Sequence, residues 1–103
     1  MDSVESALAA ERGGARRLEL CDALFDGGTT PSAGMIAACR DRVAIPLFVI
    51  IRPRGGGFVY SEPELDVMRW NCTLDHESAN EQPCDRVTPV SLAIHADCSR
   101  VVW

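Results

Sequence analysis

Residues 45–68 read "IPLFVIIRPRGGGFVYSEPELDVM". The first seven are almost continuously apolar and β-branched, the pattern of a strand covered on both faces in a parallel sheet. Pro46 stands near the strand start, where a missing N–H donor is tolerated. The strand runs out into Arg52-Pro53-Arg54, then into three glycines, an aromatic pair and Ser61-x-x-Glu64, a capping box ahead of the helical stripe Leu65 and Met68. A buried strand, a loop and a capped helix in this order make one unit of a parallel α/β architecture.

The residues upstream repeat that unit. Asp2 with Glu5 resembles a capping box, and Val4, Ala7 and Leu8 share a face until Gly13-Gly14, so a helix is expected over residues 3–12. "RRLELC" alternates, with Leu18 and Leu20 on one side and Arg17, Glu19 and Cys21 on the other, as a short strand does. "DALFDGGT" is its exit loop. Thr30 before Pro31 reads as an N-cap, and Ile36, Cys39 and Val43 carry a second helix to about residue 42. The order helix, strand, helix, strand, helix predicts two adjacent parallel strands joined by a right-handed crossover.

Composition narrows the function classes. The 103 residues are 47% hydrophobic and 24% charged with a net charge of -5, a globular composition without the basic face that tracks phosphates, so no nucleic acid is expected. No stretch reaches the ~18 apolar residues of a membrane span, and the acidic start "MDSVESALAAERGG" lacks a secretory apolar core, so no membrane is expected and a cytoplasmic location is. Cysteines at 21, 39, 72, 84 and 98 are odd in number and scattered, which reads as thiols rather than a disulfide scaffold. Beyond residue 69 the pattern breaks down. Residues 70–103 mix polar and isolated apolar side chains without a sustained period, although "VSLAIH" has strand character, and they read as a divergent, poorly ordered tail.

Ligands of parallel α/β sheets gather at the carboxyl ends of the strands. Here those ends offer Glu19 and Cys21 from one strand and Arg52 and Arg54 from the next. Two guanidiniums can grip a small carboxylated or phosphorylated anion; alternatively, Arg52 pairs with Glu19 and braces the mouth. The glycines lack the spacing of a phosphate loop. Cys21 can serve as a soft Cu(I) ligand, a nucleophile or a small buried hydrophobe. Cys39 belongs to the apolar stripe of its helix. Phe58 and Tyr60 suit either a lid or packing under the loop. Cys72, His76, Cys84, His95 and Cys98 have zinc-ligand types without the close cysteine pairs of a structural zinc site.

The stretches "DSVESALAAERGGARRLELC", "GGTTPSAGMI" and "IPLFVIIRPRGGGFVYSEPELDVM" closely resemble the amino-terminal part of the CutC copper homeostasis family, over residues 2 to about 69. The resemblance implies a partial (β/α)8 TIM barrel with parallel strands, left incomplete, and a cytosolic role in copper binding or trafficking. It implies Cu(I) as cargo with Cys21 as metal ligand, Glu19, Arg52 and Arg54 as mouth residues, and homo-oligomers at full length. An enzymatic role stays open. Arg16 and Gly57 stand where the family usually carries aspartate, which makes the mouth less acidic, and the cysteine of the family's first strand is absent. Two strands cannot close a barrel, so the chain reads as a truncated, frame-shifted or alternatively spliced product. The alternatives are a fragment of a TIM-barrel enzyme for a small anion and an inactive product.

Overall fold

The computed structural model describes residues 1–76 and 94–96, with side chains to Asn71. In chain order these form α1 (Val4–Arg12), β1 (Leu18–Leu20), a 3-10 turn (Leu24–Asp26), α2 (Ala33–Arg42), β2 (Leu47–Ile51), α3 (Glu62–His76) and β3 (Ile94–Ala96). Strands β1 and β2 are adjacent and parallel, with Leu18 opposite Leu47, Glu19 opposite Phe48 and Leu20 opposite Val49. The two α/β units read from the sequence are therefore present. Among the described residues no helix is long and apolar enough to cross a membrane.

Helix starts differ in detail from the expectation. At α1 the capping side chain is Ser3, not Asp2: its hydroxyl accepts from the Ser6 N–H at 3.1 Å. At α2 it is Ser32, whose hydroxyl accepts from the Met35 N–H at 3.1 Å, and Thr30 is employed elsewhere. In both places two capping-competent residues lie close together, and at α2 the bonds of Thr30 to Arg52 leave Ser32 to cap. The α3 cap is the predicted one, with the Ser61 N–H donating to Glu64 at 2.8 Å and the Glu64 N–H donating back to the Ser61 hydroxyl.

The core lies between the sheet and its helices. Leu18, Leu20, Leu47, Val49 and Ile51 meet Ala7, Ile36, Cys39, Val43, Leu65 and Met68, all buried. Alternation along a strand sends the neighbours of these residues to the opposite face. That face carries Arg17, Glu19 and Cys21 from β1 and its exit, and Phe48, Ile50 and Arg52 from β2 and its exit.

On the far edge of β2, β3 pairs antiparallel, with Val49 opposite Ala96 and Ile51 opposite Ile94. The strand character of "VSLAIH" thus appears at its end, and it adds an antiparallel neighbour to the expected parallel pair. An edge strand presents unpaired N–H and C=O groups to a neighbour of either direction. The parallel direction follows only from a crossover of the βαβ kind. Of residues 70–103, expected as a divergent and poorly ordered tail, 70–76 complete α3 and 94–96 form β3, and the rest lie outside the described residues.

Candidate functional site at the strand ends

The sheet face turned away from the helices changes character from one end to the other. At the amino-terminal end Arg17 and Glu19 are exposed. With Leu18 and Phe48 they line a cleft of about 480 Å³, and the Arg17 guanidinium lies 5.8 Å from the centre of the Phe48 ring. At the carboxyl end Cys21, Ile50 and Arg52 are all buried. The difference is the loop from Asp22 to Thr30, which folds back over that end.

Three residues of this loop have left-handed backbone: Ala23 (φ 45°), Gly27 (φ 85°) and Gly28 (φ 92°). Glycine takes such angles without the cost that a Cβ imposes. At Gly28 space matters as well, because a Cβ there would lie 3.2 Å from Cys21 Cβ and from Ile50 Cδ1, and 3.4 Å from the Cys21 Sγ. The main chain of Gly28 rests directly on the cysteine. An antiparallel bridge between Asp22 and Thr29 closes the base of the loop, with both N–H to O distances at 2.8 Å.

Cys21 is 2% exposed. Its N–H donates to the Met1 carbonyl at 2.8 Å and its thiol to the same oxygen at 3.4 Å, while the Met1 amine donates to the Glu19 carbonyl at 2.9 Å. Met1 therefore lies along β1 as a further strand would. Cys39, the other buried thiol, sits in the core between α2 and the sheet. Burial pushes its pKa up, Arg42 draws it down and Glu5 adds to the rise.

The two arginines of the Arg52-Pro53-Arg54 exit part company. Arg52 is 3% exposed and turns into the loop, where Nη1 donates to the carbonyls of Asp26 at 2.7 Å and Gly28 at 2.9 Å. Its Nη2 donates to the Gly56 carbonyl at 3.0 Å, the Phe58 ring centre lies 4.8 Å from the guanidinium carbon, and Nε is buried without a hydrogen-bond partner. Its main chain exchanges bonds with Thr30, whose hydroxyl accepts from the Arg52 N–H at 2.7 Å and whose N–H and hydroxyl both donate to the Arg52 carbonyl. Those guanidinium bonds run to carbonyls of the two exit loops rather than to Glu19.

Arg54 turns toward α3. It forms a two-pronged ion pair with Glu64, donates to the carbonyls of Gly55, Gly57 and Val59, and lies 5.3 Å from the Tyr60 ring centre. The pair raises the Arg54 pKa, and the same bond, with that from the Ser61 N–H, holds Glu64 below the usual carboxylate range.

Of the four residues expected at the mouth, then, Glu19, Cys21 and Arg52 share one sheet face and Arg54 belongs to the loop and helix beyond it. Tyr60 is buried in the core and Phe58 is part-exposed over Arg52. Sequence reasoning missed Gly28, Thr30 and the second role of Glu64. The Gly27-Gly28 pair was the available signal for the first. Among the described residues no group of three or more His, Cys, Asp or Glu side chains is placed to hold a metal ion. The side chains of Cys72, His76, Cys84, His95 and Cys98, weighed above for zinc, lie outside the described residues.

Comparison with known proteins covers nearly the whole chain. The family model described as "CutC family" matches residues 1–98, past the Arg69 at which the legible resemblance stops. The copper homeostasis protein cutC homolog of Mus musculus is 59% identical over 74 residues, covering 72% of this chain and 27% of that protein. The family protein CutC of Xylella fastidiosa (strain 9a5c) is 64% identical over 85 residues, covering 82% of this chain and 30% of that one. Among solved structures, a CutC protein of Streptococcus agalactiae superposes with a TM-score of 0.65 at 37% identity, over 70% of this chain and 36% of the other. The chain thus spans about a third or less of the length of these two curated relatives.

Proposed function

The chain belongs to the CutC family, and we propose that it serves copper homeostasis in the cytosol by holding Cu(I) as cargo through the Cys21 thiolate. The observation that carries this reading is the position of Cys21. It is the thiol at the carboxyl end of β1, on the sheet face turned away from the helices and beneath the exit loop. Thiolate is a preferred ligand of Cu(I), and strand ends are where this fold gathers ligands. Cys39 is a thiol of the same type on the opposite, helix-covered face.

A single thiolate makes a weak site, and the described residues contribute one. A second donor comes from another copy of the chain or from Cys72, Cys84 or Cys98. The alternative of an anion-binding enzyme has less in its favour, because the donors of Arg52 and Arg54 are directed at carbonyls and at Glu64. Competition against a Cu(I) chelator under reducing conditions tests the proposal on the wild type, Cys21→Ser and Cys39→Ala. Affinity falls at least tenfold in Cys21→Ser and is unchanged in Cys39→Ala. Equal affinities for the wild type and Cys21→Ser remove Cys21 from the site.

A further inference from the structure

Arg52 joins two loops that also touch where the Asp26 side chain lies against Gly55. From β2 its guanidinium reaches the Asp26 and Gly28 carbonyls of the first exit loop and the Gly56 carbonyl of the second. One of these acceptors belongs to Gly28, whose main chain lies on the Cys21 side chain. The segment 23–28, closed off by the Asp22–Thr29 bridge, contains three left-handed residues and a 3-10 turn whose Leu24 and Phe25 are 53% and 90% exposed. It has little apolar packing of its own. Segments of that kind open locally at a small fraction of the global unfolding free energy.

We infer that Arg52 is a positioning residue for Cys21: it latches the 23–28 loop over the thiol, and the thiol becomes accessible when that latch lets go while the core stays folded. Hydrogen bonds from the charged group to carbonyls are the stronger kind, and burial under Phe58 keeps water from competing for them. The Asp22–Thr29 bridge and the turn bonds within residues 23–28 hold the loop's own shape, the Thr30 bonds to the Arg52 main chain fix where it ends, and the guanidinium ties it down to the exit of β2. The functional meaning of the latch rests on the reading of Cys21 as the copper thiolate, whereas its operation does not involve a metal. Unchanged copper affinity in Cys21→Ser therefore removes the copper reading and leaves the latch standing.

The experiment is alkylation by iodoacetamide without metal, followed cysteine by cysteine by peptide mass spectrometry, with each rate divided by its value in the urea-unfolded chain. Cys39, buried in the core, reports global unfolding in the same tube. In the wild type, Cys21 is expected to react at least tenfold faster than Cys39, with a rate that rises much less steeply in sub-denaturing urea. In Arg52→Met, which keeps an apolar stem and removes the donors, Cys21 is expected to accelerate at least tenfold while Cys39 does not. Equal wild-type rates with equal urea slopes overturn the inference, as does an Arg52→Met chain in which Cys39 stays slow and Cys21 is no faster. Should Arg52→Met unfold, both cysteines react together and the wild-type slopes decide alone.

Discussion

The Glu64 carboxylate accepts from the Ser61 N–H at 2.8 Å and from two nitrogens of Arg54, and these bonds set its titration. The bond to Arg54 is the larger cause of its lowered pKa and the Ser61 N–H the next. Because the folded-state pKa is depressed, the unfolded chain takes up the proton first. The link therefore stabilises the fold fully above the unfolded carboxylate value of ~4.3 and is lost as the pH falls through the lower folded value. Arg54 stays protonated throughout this range and adds no slope of its own. Glu64→Gln preserves the shape and one acceptor oxygen but cannot ionise. Urea midpoints of wild type and Glu64→Gln, measured from about pH 7 down to about pH 3, should differ at neutral pH and converge in acid. The gap should shrink with added salt, since the pair is partly exposed. A constant gap across that range contradicts the assignment.

Among the elements, the turn from β1 into α2 shows how one hydroxyl can be diverted from its local role. Thr30 lies where an N-cap is expected, yet its hydroxyl accepts from the Arg52 N–H and donates to the Arg52 carbonyl, 22 residues away, and Ser32 caps α2. Thr30→Val leaves the Arg52 N–H buried without that acceptor and should cost about 1–3 kcal/mol. Ser32→Ala removes only a cap and should cost about 1 kcal/mol. Urea unfolding of the two variants checks the order; a larger loss in Ser32→Ala reverses it. The same contrast marks what the sequence could disclose. The apolar run at 45–51, the alternation of Leu18 and Leu20 and the Ser61–Glu64 box are local patterns, and each specified its element and its buried face. The covering of Cys21 by Gly28, the diversion of Thr30 and the opposite destinations of Arg52 and Arg54 depend on partners outside the local repeat, from seven residues away for Gly28 and Cys21 to 26 for Asp26 and Arg52. Alternation placed Arg52 on the Cys21 face correctly, but it carries no information beyond the strand end, where Pro53 and the glycines redirect Arg54. The antiparallel β3 was illegible for a related reason, since strand character does not specify direction.

For the molecule as a whole, two α/β units bring a thiol and a buried arginine to one end of a sheet face whose other end forms a cleft lined by Arg17, Leu18, Glu19 and Phe48. The curated relatives cited above extend well beyond what this chain covers of them, at 27% and 30% of their length. What this chain itself brings to copper, on the reading proposed above, is the sulfur of Cys21. X-ray absorption at the copper edge reads that contact directly, on the full chain loaded with one equivalent of Cu(I) under reducing conditions. The account predicts sulfur in the first shell of the wild type and of Cys39→Ala, and a marked loss of sulfur scattering in Cys21→Ser. Sulfur scattering of equal amplitude in the wild type and Cys21→Ser would contradict it.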